Sequence, residues 1–350
     1  MTMKEHERNT AYDYLRVLAS FGVIILHIAA KKFLSLSVYS NEWQVLNFYD
    51  SIVRWTVPVF VMISGALFLN RDIPIRKLYL RYIPRLAVAF VVWSFAYAIS
   101  TGYDFKAHKV MWLSGHYHMW YIPMCIGLYA ALPIVKQIVS NKRIAYYYLL
   151  LSFVFAFIIP SAMALAKDFG PQWMNSLVRV ANDVITDMHM QLVLGYSAYF
   201  VLGYVLSKPD SVKGKSIDRC IYVLGILGFL LTILVTLFAS HRKAEAVTTY
   251  YDFLTVNVLL ESVAVFTAFR RMDFKNERLN RVMARLAKYS FGAYLVHPMI
   301  IEKLASELQI TSLSFYPGLS VPVLGCLVFV ISYAVSFLLS QIPILNRYVV

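Results

Sequence analysis

The chain is short of charge. Asp, Glu, Lys and Arg make up 15% of its 350 residues, where a soluble domain carries about 25%. Hydrophobic residues reach 59% and the mean hydropathy is +0.61. That balance excludes a soluble globular chain of this size and leaves a polytopic membrane protein. Cysteine is scarce too: Cys125, Cys220 and Cys326 are the whole set. An odd, scattered count excludes a disulfide framework and offers no metal-ligand spacing. Acidic residues are outnumbered 19 to 33 by Lys and Arg, for a formal net charge of +14. In a membrane chain that excess collects in cytoplasmic loops, so nucleic acid is not expected as a partner. No cleavable leader is expected either. Met1 to Thr10 is polar, and the apolar run from Ala11 has no small-residue cleavage site. No internal repeat is visible, and no polar stretch is long enough for a separate soluble domain.

What the chain does have is a series of apolar runs of spanning length. They lie near 12–31, 47–69, 82–102, 117–139, 145–165, 190–207, 219–240, 250–270, 289–310 and 318–340. The expected fold is an all-α bundle of about ten transmembrane helices. Basic residues crowd alternate connections. Arg71, Arg76, Lys77, Arg81 and Arg85 follow the second run; Lys136, Lys142 and Arg143 the fourth; Lys208, Lys213, Lys215 and Arg219 the sixth. Arg270, Arg271, Lys275, Arg278, Arg281, Arg285 and Lys288 follow the eighth. The opposite connections hold fewer, among them Lys31, Lys32, Lys106 and Lys109. The positive-inside rule then puts both termini in the cytoplasm of a multi-pass protein of the inner or plasma membrane. The stretch 166–189, with Trp173, Asp183, Asp187 and His189, falls outside. It reads as an amphipathic or re-entrant segment at an entrance.

Several spans contain residues that hydrocarbon does not tolerate without a reason. The first holds Arg16 and His27. Eleven residues at about 100° each return to within about 20° of three full turns, so the two share one helix face about 16 Å apart. Snorkelling of Arg16 and a capping role for His27 are the plain alternatives. The second run holds Arg54, Pro58 and Ser64-Gly65. Arg54 can pair with Asp50, four residues earlier on the same face, and Ser-Gly in a membrane helix often serves packing. The fourth opens with His116-Tyr-His118-Met-Trp120-Tyr121. Its aromatics suit an interface belt, and two histidines at i, i+2 without a third ligand do not make a metal site. The eighth carries Asn257 and Glu261, the ninth Gly292, Tyr294, His297 and Pro298. So many polar groups imply a polar cavity among the helices, open to at least one side. Arg76, Arg81 and Arg85 beside it suit a phosphorylated cytoplasmic ligand, although such clusters also set topology or meet anionic lipid.

In this order the segments resemble the acyltransferase-3 family of integral membrane acyltransferases. The resembling residues are Asp13-Tyr14-Leu15 with the Arg16-x10-His27 pair; Val57-Pro58-Val59-Phe60 through Ser64-Gly65; Trp120-Tyr121 with Gly127-Leu128-Tyr129; Phe200 through Gly203-Tyr204; and Tyr294-Leu295-Val296-His297. The likeness runs from Tyr12 to about residue 340 and is nearest to the surface-polysaccharide O-acyltransferases. It implies a single transmembrane acyltransferase domain over 1–350, without the C-terminal esterase-like domain of the cell-wall O-acetyltransferases. It also implies transfer of an acyl group, usually acetyl, from acyl-CoA to a hydroxyl of a surface glycan or its lipid-linked precursor. A homodimer is compatible with this reading, and no metal is expected.

On that implication the residues take roles. Acyl-CoA is polyanionic, so its phosphates would rest on Arg76, Arg81 or Arg85 and its arm would pass Arg16. His27 would be the general base or a transient acyl carrier. Ser64, Tyr294 or Arg54 would stabilise the oxyanion. Arg54, His118, Trp120, Tyr121 and His297 would face the acceptor. The rival reading is a transporter or flippase for a polar solute or lipid-linked sugar, which also needs intramembrane charge and broken helices.

Overall fold

The computed structural model describes residues 9–104, 110–188, 190, 194–209 and 214–349. Lys106, Lys109, His189 and Lys213 lie outside these residues. The described chain is helical, with no strand. Fourteen helical segments position the site: α1 Thr10–Phe33, α2 Asn41–Ser51, α3 Thr56–Phe68, α4 Ile75–Ser100, α5 Tyr121–Ala130, α6 Leu132–Ser140 and α7 Lys142–Phe169. They continue with α8 Met174–Asp187, α9 Tyr196–Ser207, α10 Lys215–Lys243, α11 Val256–Arg271, α12 Glu277–Glu307, α13 Pro317–Ser340 and α14 Pro343–Tyr348. Among the described residues seven helices are long and apolar enough to cross a membrane, or eight with the bent pair α5–α6. This is a polytopic all-α membrane protein. Two of the expected runs depart from a simple span. Among the described residues of 190–207 the long element is the 12-residue α9, and most of 289–310 falls within a 31-residue helix, α12, whose first half is charged.

Local chemistry explains where the helices start and break. The Asn9 side chain accepts from the Ala11 amide and caps α1, and Ser40 does the same for Trp43 in α2. The second run breaks at Ile52–Trp55 rather than at Pro58. Pro58 sits in the first turn of α3, where amides lack helical partners in any case. Trp55 Nε1 and Thr56 Oγ1 donate to the Ile52 and Val53 carbonyls that the break releases. Elsewhere a widened π turn precedes a proline: Leu78–Tyr82 before Pro84, and Phe153–Ile158 before Pro160. Proline has no amide to give to the preceding turn, and the wider turn takes up the mismatch.

Helix α1 is the centre of the bundle, with α2, α3, α11, α12 and α13 packed around it. The tightest crossing is α3 on α9. A Cβ added at Gly65 would stand 1.8 Å from the Phe200 carbonyl oxygen, and one at Gly203 would stand 2.0 Å from that of Met62. The two backbones touch because neither residue has a side chain. On the outside, α10 presents Val223, Leu227, Leu230, Leu234 and Phe238 in one exposed apolar stripe. Helices α1 and α12 run side by side in the same direction. Tyr14 donates to Asn280 near their N-terminal ends, and His27 stands against His297 further along.

Candidate functional site

The helices enclose a cavity of about 790 Å³ along α1. Arg16 and His27 both line it, so the shared face inferred from their spacing is the cavity face. Ser64 from α3, Arg85 from α4, Tyr121 and Tyr129 from α5 and Tyr294 from α12 complete much of the wall. The arrangement has two unlike ends. Arg85 and Lys288 stand at the end nearer Arg16, with Tyr82 beside them; Lys31, Arg54, Tyr117 and Glu302 stand at the other. The basic residues expected for an anionic ligand divide. Arg16 and Arg85 line the wall, whereas Arg76 and Arg81 do not.

The second end is a cluster of imidazoles. The His27 ring lies 5.2 Å from that of His297 and 6.4 Å from that of His118, centroid to centroid. His118 and His297 are 5.6 Å apart. His116 Nδ1 is 3.1 Å from His118 Nδ1, and its Nε2 is 3.0 Å from Glu302 Oε1. His118 lines the cavity with His27 although it is only 2% exposed, whereas His297 is fully buried and does not line it.

Pro298 accounts for much of this geometry. It has no amide to offer the Tyr294 carbonyl, and His297 Nδ1 takes that place at 2.7 Å. One residue further on, the Tyr97 hydroxyl enters the ladder. It donates to the Leu295 carbonyl at 2.8 Å and accepts from the Met299 amide at 3.2 Å. The loosened turn thereby fixes the His297 ring at the level of His27.

The hydroxyls are less free than their positions suggest. Ser64 Oγ donates to the Phe60 carbonyl at 3.0 Å, and the Tyr294 hydroxyl donates to the His118 carbonyl at 2.7 Å. Each spends its only proton on backbone. Arg54 is the better placed donor. It pairs with Asp50 at 2.5 Å, lies 4.0 Å over the Tyr251 ring and lines the cavity, and its buried Nε has no hydrogen-bond partner. The Asp50 pair foreseen from the i, i+4 spacing is present, and it coexists with a place in the wall.

Trp120 stacks on Phe253 at 5.8 Å and meets Tyr196 at 5.4 Å. Together with Arg54, Trp120 and Phe253 also line a second hollow of about 1010 Å³ beside α7 and α9. Trp173 lies on the exposed surface and lines neither cavity. Glu261 is also outside the cavity wall. It is fully buried, accepts from Thr232 at 2.5 Å and lies against the Trp55 backbone at the start of α3. Through these contacts the acid ties α10 and α11 to the start of α3.

Lys288 and Tyr129, noted in the sequence only as a loop cation and as part of a motif, line the cavity, as do Glu302 and Phe253, to which the sequence assigned nothing. Lys288 and Glu302 were readable. Fourteen residues bring them within about 40° of one face of α12 at opposite ends of the span. Phe253 gave no signal, because it comes from a turn remote in sequence from Trp120.

Among the described residues no group of three His, Cys, Asp or Glu is arranged to hold a metal ion. The family model described as an acyltransferase domain, of the acyltransferase-3 type, matches residues 9–341. No curated protein and no solved structure matches the chain.

Proposed function

Because this chain belongs to the acyltransferase-3 family and is an acyltransferase by that membership, we propose that it moves an acyl group across part of the membrane. The donor is acyl-CoA, with acetyl the favoured chain, and the acceptor is a hydroxyl of a surface glycan or its lipid-linked precursor. The observation that carries this reading is one cavity that runs from Arg85 and Lys288, past the His27 imidazole, to an end where Tyr117, Trp120 and Phe253 stand with Lys31, Arg54 and Glu302. By the positive-inside rule the Arg85 end is cytoplasmic. There Arg85 and Lys288 meet the donor's phosphates, and Arg16 guides its arm inward. The roughly 16 Å from Arg16 to His27 suits a guide rather than a group that touches the reacting carbonyl.

At His27 the acceptor hydroxyl attacks the thioester carbonyl. The imidazole takes the hydroxyl proton, the carbon–oxygen bond forms, and the carbon–sulfur bond breaks. The thiolate leaves toward the basic end and takes a proton there. Arg54 faces the carbonyl oxygen as negative charge develops on it. A route through an acyl-imidazole on His27 uses the same geometry. The acceptor enters from the other side, past Trp120 and Phe253, whose ring faces suit a sugar. Ser64 and Tyr294, with their protons spent on carbonyls, hold the wall and the His118 segment in place.

The test is turnover. Proteoliposomes of the purified chain, given acetyl-CoA and glycolipid extracted from the host membrane, should release free CoA and acetylate the extract. Solute flux without thioester cleavage would overturn the reading in favour of a transporter.

A further inference from the structure

The second hollow, beside α7 and α9, meets the cavity of His27 at Arg54, Trp120 and Phe253, which line both. The rest of its wall has two unlike sides. One is apolar and comes from Phe155, Ala156 and Pro160 of α7, Ile185 of α8 and Leu194 just before α9. The other is a strip of the connection between α10 and α11, where Thr248, Thr249 and Asp252 are exposed. A hydroxyl both donates and accepts, and a carboxylate accepts from several hydroxyls at once, so this strip suits a sugar.

The surroundings of the hollow decide what can reach it. Helix α7 is long and apolar enough to cross the membrane, and only 11% of its apolar window is buried inside the protein, so most of it faces hydrocarbon. Phe155, Ala156, Pro160 and Ala164 line the hollow from the middle of α7 towards its outer end. Helix α8 borders the hollow through Ile185, and none of its residues is buried. Its exposed Leu177, Val180 and Val184 fall on one face, with Asn175, Arg179, Asn182 and Thr186 on the opposite one. A helix of this pattern lies in the membrane interface with its apolar face among the lipid chains. The apolar side of the hollow is therefore bordered by two helices that stand in lipid. By the positive-inside rule the polar strip lies on the outer, watery side.

We propose that the second hollow binds a glycolipid, its apolar chain against α7, α8 and α9 and its sugar on the 248–255 strip, and that the acceptor reaches His27 by this lateral route. What the bound glycolipid does rests on the acyl-transfer reading, and the hollow narrows the acceptor to a sugar that still carries its membrane anchor. A free polysaccharide would leave the apolar side of the hollow against water, whereas a lipid chain covers it favourably. From the strip the sugar passes Trp120 and Phe253, whose stacked rings form the shared threshold. One of its hydroxyls then meets His27 while the chain stays in the hollow. The chain holds the acceptor in place as the donor arrives from the Arg85 end.

Two measurements on the full chain test this. The first needs no turnover. Wild-type protein in nanodiscs is photolabelled with dodecyl β-glucoside that carries a diazirine at the end of its chain. Label should appear on Leu254 and on Leu194, which is only 6% exposed and lines the hollow. Excess unlabelled dodecyl β-glucoside should displace it, and excess glucose should not. Ala156→Phe puts a ring into the hollow and should reduce the label about tenfold, the equivalent of a few buried methylenes. Absence of label at both residues, or label that neither the unlabelled glycolipid nor Ala156→Phe reduces, would overturn the glycolipid site. The second measurement compares acceptors. Proteoliposomes of wild-type protein receive radiolabelled acetyl-CoA with either glycolipid extracted from the host membrane or the same glycan hydrolysed from its lipid. The intact glycolipid should be preferred by at least about tenfold in kcat/KM, and Ala156→Phe should erase that preference with the acetyl-CoA KM unchanged. Equal use of both acceptors by the wild type would overturn the lateral route. Acetylation of neither would instead sink the acyl-transfer reading, and the photolabel would then decide the glycolipid site by itself.

Discussion

Ser64 and Gly65 are neighbours in α3 and face opposite kinds of space. Gly65 lies on the α9 crossing, where a single Cβ would run into the Phe200 carbonyl. Ser64 faces the cavity with Arg16, His27 and Tyr294. The crossing is dry and closed, and nothing there carries charge. The cavity face is polar and keeps buried atoms unsatisfied behind it. One contiguous sequence block therefore serves two regions with different physics. The crossing fixes where α3 stands, and the cavity depends on that placement. Changes at the crossing should act on folding, and changes on the cavity face should act on turnover.

The largest separation should come from His27→Ala. It removes the base and should lower transfer by at least about 10³-fold, equivalent to roughly 4 kcal/mol of barrier. Thermal melting of the purified protein should be unchanged. Appreciable residual transfer would take His27 out of the chemistry. Gly65→Val should do the reverse. Overpacking costs about 1–3 kcal/mol in an ordinary core, and at least that is expected where the opposing group is backbone. The melting temperature should fall, while kcat per folded molecule stays near normal; an unaltered melting curve would contradict the crossing. Arg85→Ala should raise the acyl-CoA KM about tenfold, the loss of roughly 1.4 kcal/mol of binding. Arg81→Ala should raise it less, because Arg81 is outside the wall. Equal effects would move the donor's phosphates to the surface loop. Ser64→Ala should be the mildest, within about threefold in kcat, because its proton already serves the Phe60 carbonyl. A hundredfold loss would make Ser64 an oxyanion donor after all.

The membrane fold was legible in composition and apolar periodicity, and the Arg16–His27 face in helix geometry alone. Those features are local to one segment. The site as a whole was less so, since proximity between remote segments leaves no trace in spacing. His118 and His297 were identified as polar oddities near the acceptor side. What joins them to His27 is the Pro298 turn, the Tyr97 wedge and the parallel course of α1 and α12, all of which are tertiary. Glu261 shows the opposite failure. An acid within a span reads as a cavity residue, yet its partner is the broken start of α3, and the break itself comes at Ile52–Trp55 rather than at the proline. Arg76 and Arg81 were grouped with Arg85 by charge, and of the three only Arg85 lines the cavity.

On the acyl-transfer reading, donor and acceptor reach His27 from opposite ends of one cavity. Sidedness tests it directly, because acetyl-CoA does not cross a bilayer. Inside-out and right-side-out vesicles from expressing cells would each receive radiolabelled acetyl-CoA from outside only. Label should appear on membrane glycan in inside-out vesicles, where the Arg85 end faces the medium, and not above the His27→Ala background in right-side-out ones. Equal labelling in both, or labelling only in right-side-out vesicles, would contradict it.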